Sequence, residues 1–419
     1  MDPAILTTIN FIIDILGKVL PFFAPLILGY FALYFWEHYK MHEFVANIKW
    51  VTLQIKIPKD VFKSPQAMEF IFINAMYQTA PGTWYAHYVE GKVRQWFSLE
   101  LVSIEGEVYF FIHTPEFYKN LIESQLYAQY PKAEIAEVPD YTEDVAARIE
   151  TEDWNMWGCE FKLTKADGYP IKTYIDYGLD KDVGKEEEQK IDPITPMLEY
   201  LGALGPGEQA WYQIMIRASM KKYHTHGTWF GKHGWVDEAK EEIKKISEKY
   251  ATKNDKGEKV LDYVKIPKSA QNEIEAISRA VDKQGFDVGI RAMYIAKKDN
   301  YKGINVVGLT SMIKQYNSGN LNGFGVTHFT GFDYPWQDFN GSRAAILKKK
   351  MMDAYRLRSY FYPPHGHKRA GFKFLHRKPF ILNSEELATI FHFPGQVSET
   401  PTFKRIESKK SEPPANLPF

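Results

Sequence analysis

From Val19 to Trp36 the chain reads VLPFFAPLILGYFALYFW, eighteen residues without a charge. At 1.5 Å per residue a helix of that length reaches ~27 Å, close to the ~30 Å hydrocarbon thickness of a bilayer. A run apolar on every side needs either a protein core or lipid around it. The flank Phe35-Trp36-Glu37-His38 makes a poor cleavage site, which argues against a secretory leader. Pro21 and Pro25 suit the first turns of a membrane helix, and Tyr30, Tyr34 and Trp36 suit an interface. The expectation is a retained transmembrane anchor within residues 1–45, with Lys18 snorkelling at one end. Lys18 precedes the run while Lys40 and Lys49 follow it, so the positive-inside rule decides little.

The rest of the chain reads as globular. Of 419 residues, 45% are hydrophobic and 15% aromatic, too rich for disorder. Lys plus Arg equals Asp plus Glu at 52 each, so any electrostatic partner must be met by a local patch. The single cysteine, Cys159, excludes an intrachain disulfide and a multi-cysteine metal site. It falls mid-strand, as a small buried hydrophobe would. With no second apolar run, the body is expected in the cytoplasm.

Trp50 to Ile57 alternates as a half-buried strand, and Ser64-Pro65 opens a helix with Met68, Ile71, Phe72, Ala75 and Met76 on one stripe. Phe97–Val102 and Val108–His113 form a hairpin, Thr114-Pro115 opens a second helix to about Gln129, and Ala133–Val138 closes the set. That order, β-α-β-β-α-β, is ferredoxin-like and covers residues 46–140. Residues 141–340 repeat the theme less clearly: strands near 159–164, 171–175, 210–216, 286–296 and 324–328, with polar helices inserted over 235–285. The predicted class is therefore α+β: an N-terminal transmembrane helix, two ferredoxin-like (βαββαβ-type) units and an extended C-terminal tail.

Chemistry is sparse. No GxxxxGK[ST] phosphate loop, GxSxG elbow or HExxH pair occurs. His38 and His42 have helical i, i+4 spacing, but Tyr39 stands where a metalloprotease needs Glu. His224, His226 and His233 share a glycine-rich loop without a matching carboxylate or cysteine, and His365, His367 and His376 have the same weakness. No metal, cofactor or catalytic residue is expected. One region is asymmetric in charge: Arg343 to Lys378 holds eleven Lys/Arg and one acid, Asp353. On its helix, Leu347, Met351, Ala354 and Tyr355 are expected inside. Lys348, Lys349, Lys350, Arg356 and Arg358 are expected outside, joined by Lys368 and Arg369 from the following loop. With interleaved aromatics such a block suits nucleic acid or anionic lipid headgroups.

The C-terminal run ILNSEELATIFHFPGQVSETPTFKRIESKKSEPPANLPF, residues 381–419, resembles the segment before the motor domain in membrane-anchored bacterial ATPases related to type IV secretion and DNA translocation. The elements carrying the likeness are Glu385–Phe393, Pro394-Gly395, Thr400-Pro401, Lys404–Lys410 and Pro413–Pro418. Residues 110–141 are similar to the same family. The resemblance implies a bacterial inner-membrane protein with its body on the cytoplasmic side. The chain ends at Phe419, where the motor would begin, so the expectation is a non-enzymatic scaffold or accessory subunit for a separately encoded motor ATPase. Self-association is a further partner mode, and a membrane-tethered nucleic-acid- or lipid-binding module is the alternative. Five prolines from Pro394 onward preclude helix, so residues 396–419 are expected to extend and dock through Phe391, Phe393, Phe403 and Leu417.

Overall fold

The structure is a computed structural model that describes residues 3–58, 63–79, 82–143, 145, 153–180, 192–220, 223–224, 232–250, 252–253, 259–260, 266–362 and 378–394. The chain divides into two units. One comprises residues 1–48, 80–94 and 364–368, and the other holds the remainder.

The first unit is built on α1, a 44-residue helix from Pro3 to Ala46, with the short α3, Trp84–Tyr88, beside it. Neither proline breaks α1: Pro21 and Pro25 both lie inside it. Phe22, Phe23, Leu26, Ile27, Leu28, Phe31, Leu33 and Phe35 are all exposed. At 100° per residue these positions cover about two-thirds of the circumference. Among the described residues no helix is long and apolar enough to cross a membrane.

The second unit is organised by one nine-stranded sheet. In chain order its elements are β1 (Trp50–Lys56), α2 (Gln66–Ile71), β2 (Phe97–Ile104), β3 (Glu107–Pro115), α4 (Lys119–Gln129), β4 (Glu134–Val138), β5 (Trp154–Leu163) and α5 (Thr195–Gly202). These are followed by β6 (Glu208–Ala218), α6 (Trp235–Lys249), α7 (Lys268–Val281), β7 (Gly285–Lys297), α8 (Gly303–Ser311), β8 (Phe324–Thr327), α9 (Ser342–Arg356), β9 (Phe380–Asn383) and α10 (Ser384–Ile390). The strands run β8-β5-β7-β6-β2-β3-β1-β4, and β9 pairs with the start of β7.

Two separate sheets were expected at residues 46–140 and 141–340, and the structure corrects that. β2 and β6 pair antiparallel from Phe97↔Ile216 to Ile104↔Gln209, so the strands form one continuous sheet. Sequence periodicity identifies strands but not the partner each edge takes, and the apolar faces of β2 and β6 extend the same core. On either side of this seam the strands lie in the order fourth, first, third, second of their own half.

One face carries the larger core, where Leu53, Leu99, Ile112, Tyr212, Ile214, Ile290 and Ala292 meet the helices α2, α4, α5, α8 and α10. Cys159 lies in it, fully buried, and burial pushes its thiol pKa up. The other face carries a smaller core of Val102, Phe111, Met156, Trp211, Met293 and Ile295 under Met351, Met352 and Tyr355 of α9.

The strand expected at 171–175 is irregular chain. Its backbone donors are taken elsewhere: Ile171 N donates to Glu386 Oε1 (2.8 Å), Thr173 N to Asp176 Oδ2 (2.9 Å) and Tyr174 N to Thr389 Oγ1 (2.9 Å). A strand ladder there would forfeit those bonds to a buried helix. The C-terminal segment also differs from expectation. β9 and α10 are buried throughout, and the sequence Ser384–Ile390 has no exposed face at all.

Candidate functional site

A row of polar side chains crosses the α9 face of the sheet in register. Glu160 on β5 pairs with Arg291 on β7, Arg291 with Gln213 on β6, and Gln213 with Glu100 on β2. All four are buried. Each strand contributes one polar residue at the same level, and the end of α9 closes over the row.

The bonds within the row are dense. Arg291 Nε donates to Glu160 Oε1 (3.0 Å) and its Nη1 to Ala354 O (3.1 Å). Gln213 Nε2 donates to Glu100 Oε1 and to Tyr355 O, both at 3.1 Å. Ser98 Oγ (2.6 Å) and Tyr141 Oη (2.7 Å) also donate to Glu100. The Tyr360 ring lies 5.0 Å from the Arg291 guanidinium. Gly289 permits that approach, since a Cβ there would collide with the Tyr360 ring.

Arg358 completes one end. It donates to Glu100 Oε1 (3.0 Å) and Oε2 (3.2 Å), and pairs with Asp140. Burial pushes the Glu100 carboxyl up, but the Arg358 guanidinium outweighs it and holds the group below its usual range. Asp140 is shifted down by the same partner against its own burial. His113, stacked on Trp50 and 2.8 Å from Thr52 Oγ1, is pushed down to about 3 by burial, with Arg358 adding repulsion. It is therefore neutral at physiological pH.

The other end opens into a cavity of about 680 Å³ lined by Glu160, Lys162, Asp167, His328, Tyr360 and Lys378, among others. His328 has a left-handed backbone (φ 45°), and its Nδ1 lies 3.5 Å from Glu160 Oε2. Burial, with Glu238 nearby, pushes Asp167 up to about 6. The cavity thus offers carboxylates, a histidine and lysines to a small polar molecule. No group of three His, Cys, Asp or Glu able to hold a metal occurs among the described residues.

The expected site residues separate. Lys349 and Arg356 are exposed on α9 and Lys350 is half-buried. Lys348 leans back onto the body, its Nζ donating to Asn155 Oδ1 (2.7 Å), and burial lowers its pKa. Arg358, placed outside by the sequence reading, is buried in two carboxylates instead, because the helix ends two residues earlier and its chain turns inward. Phe391 and Phe393, expected as docking anchors, are buried against Phe110, and Phe393 also meets Tyr130. Lys368, Arg369, Phe403 and Leu417 lie outside the described residues, as do His226, His365, His367 and His376. The segments Tyr223–His224 and Lys232–His233 pair as a two-residue ribbon. His38 Nδ1 faces its own helix, 3.0 Å from Tyr34 O.

The buried row escaped the sequence reading, although a signal exists. Glu100 is the lone charge of the apolar strand FSLELVSI, and Arg291 interrupts the apolar run VGIRAMYI. Such a residue must be paired to be tolerated. Against known proteins, the chain matches no family model and no curated protein.

Proposed function

We propose that the protein is a membrane-anchored platform without catalytic activity of its own, held by α1 and presenting the sheet body to a partner on the cytoplasmic side. The observation that carries this reading is the exposed apolar surface of α1, where Phe22, Leu26, Leu28 and Leu33 are each at least two-thirds exposed. Some 25 cal/mol per Å² of such surface favours transfer out of water. The uncharged run Val19–Trp36 matches a bilayer in length and ends at Glu37, although the described part of α1 taken alone is not apolar enough to cross one. A platform role is supported by the way the body spends its buried charges. Glu100, Asp140, Arg291 and Arg358 are committed to buried ion pairs rather than presented to a substrate, and only Glu160, the partner of Arg291, also reaches the cavity.

The resemblance of residues 110–141 and 381–419 to the pre-motor region of type IV secretion-type ATPases suggests the partner, a motor ATPase at a bacterial inner membrane. In finer detail the body reads as two βαββαβ-type halves joined edge to edge. The alternative, a module binding nucleic acid or anionic lipid through α9, is less favoured, since Arg358 and Lys348 both turn toward the body. A photocrosslinker at Trp336 or Phe339, both strongly exposed, tests the partner in native membranes. The expected product is a crosslink to a nucleotide-hydrolysing protein. Crosslinks confined to the same chain or to nucleic acid would overturn the platform reading.

A further inference from the structure

Within the first unit, α3 is tied to α1 at one level. Trp36 Nε1 donates to Tyr88 O (2.9 Å), and His87 Nε2 lies 3.1 Å from Glu37 Oε1. Gly91, with φ 70°, brings the returning chain so close to α1 that a Cβ would collide with the Lys40 carbonyl. Thr83 caps α3, its Oγ1 accepting from Ala86 N (3.3 Å). The attachment therefore spans Trp36 to Lys40, the turn at which the uncharged run gives way to Glu37, Lys40 and Glu43.

Around that turn exposed aromatic side chains gather, beside the exposed ion pair Lys92–Glu90 that follows α3. Trp84 is 72% exposed and Tyr85 56%, and Tyr88 is exposed as well. Trp36 and Tyr39 of α1 add two more, and Lys40 Nζ stands over both of their rings at 5.5 and 5.8 Å. Trp and Tyr, with an apolar body and a polar tip, suit the membrane–water boundary. Protein interfaces use them too, so it is their level on α1, where the uncharged run meets Glu37 and Lys40, that points to the boundary. Charged residues on one side and an uncharged, mostly apolar run on the other set the direction from water to hydrocarbon.

We infer that α3 is an interfacial element, lying in the lipid headgroup layer and fixing the depth at which α1 sits. The inference rests on the proposed insertion of α1 and adds a second contact that hydropathy does not disclose, because WYAHY is too short to register as a span. An amphipathic helix in the interface plane is held by its buried aromatic area. Joined to a span, it resists vertical sliding and rotation of that span.

The test is site-directed spin labelling of the full chain in phosphatidylcholine–phosphatidylglycerol vesicles. Nitroxides are placed singly at Phe31→Cys, Glu43→Cys, Trp84→Cys and Tyr85→Cys. Cys159 is buried, and the unsubstituted chain measures background labelling. Collision rates with oxygen and with a nickel chelate report depth. The expected order is hydrocarbon at Phe31, headgroup level at both Trp84 and Tyr85, and water at Glu43. Water-like access at Trp84 and Tyr85 with Phe31 still in hydrocarbon overturns this inference and leaves the anchor standing. Water-like access at Phe31 removes both. A second measurement uses the Phe31 label with Trp84→Ser, Tyr85→Ser and Tyr88→Ser combined. A change in its depth is expected, and an unchanged depth contradicts the depth-fixing role.

Discussion

Arg358 occupies a left-handed backbone conformation (φ 46°), a place usually given to glycine at the end of a helix. The helix-ending bonds are present, with Ser359 N donating to Ala354 O (3.1 Å) and Arg358 N to Tyr355 O (3.0 Å). A charged residue is tolerated there because the turn aims its guanidinium at Glu100 and Asp140. Removing one member of a buried ion pair strands the other, typically at about 3–5 kcal/mol. Arg358→Ala is therefore expected to lower unfolding stability by about that much, and adding Glu100→Ala should recover part of the loss. Chemical unfolding of the two variants in detergent checks this, and a loss below about 1 kcal/mol for the single variant would contradict the buried-pair description. From sequence, Arg358 was one of several basic residues in a block. Its fate depends on where α9 stops, and helix ends are poorly marked when no glycine or proline follows at once.

At the scale of elements, α10 shows the same limit. SEELATI reads as an ordinary amphipathic helix with an acidic first turn, yet all seven residues are buried. Glu386 makes this workable. Its Oε2 accepts from Asn383 N (2.8 Å) and its Oε1 from Ile171 N (2.8 Å), while Asn383 Oδ1 accepts from Glu386 N (2.9 Å). The capping box was legible in Asn383-x-x-Glu386. That its acid would also hold a loop more than two hundred residues away was not, because nothing local encodes it. Burial pushes the Glu386 carboxyl up to about 8, against the pull of its two backbone donors. With an unfolded value near ~4.3, the folded state binds the extra proton, so this group's stabilisation is complete below that pH and is lost as pH rises toward 8. Glu386→Gln keeps an acceptor oxygen and cannot ionise. Its melting temperature is expected to fall less than that of the parent between pH 5 and pH 8, by several degrees, since a carboxyl raised to about 8 loses its stabilisation across that whole range. Parallel melting curves across that range would contradict the assignment. Neighbouring Glu385, raised by burial but paired with Arg279, is a weaker contributor.

Over the whole molecule, the strand and helix order of the first half was readable because turns and alternation agree over residues 50–138, although Ser64 bonds to Leu179 O and Thr114 lies in β3 rather than capping helices. The merging of the two halves was not, since it depends on β2 and β6 finding each other across more than a hundred residues. β7 illustrates why long-range pairing dominates. Along Gly285–Lys297 it is hydrogen-bonded to β6 on one edge and to β5 and β9 on the other, which draws the C-terminal segment into the sheet. The basic block and the docking phenylalanines were read from composition, and composition does not say which side of a helix the body takes. What composition does state firmly is that the residues between Val19 and Trp36 carry no charge, and the structure leaves the described apolar ones exposed. Alkaline carbonate extraction of membranes from cells expressing the chain tests that anchoring directly. The full chain is expected in the pellet and a chain beginning at Lys49 in the supernatant, folded and without detergent. Release of the full chain by carbonate would contradict the account.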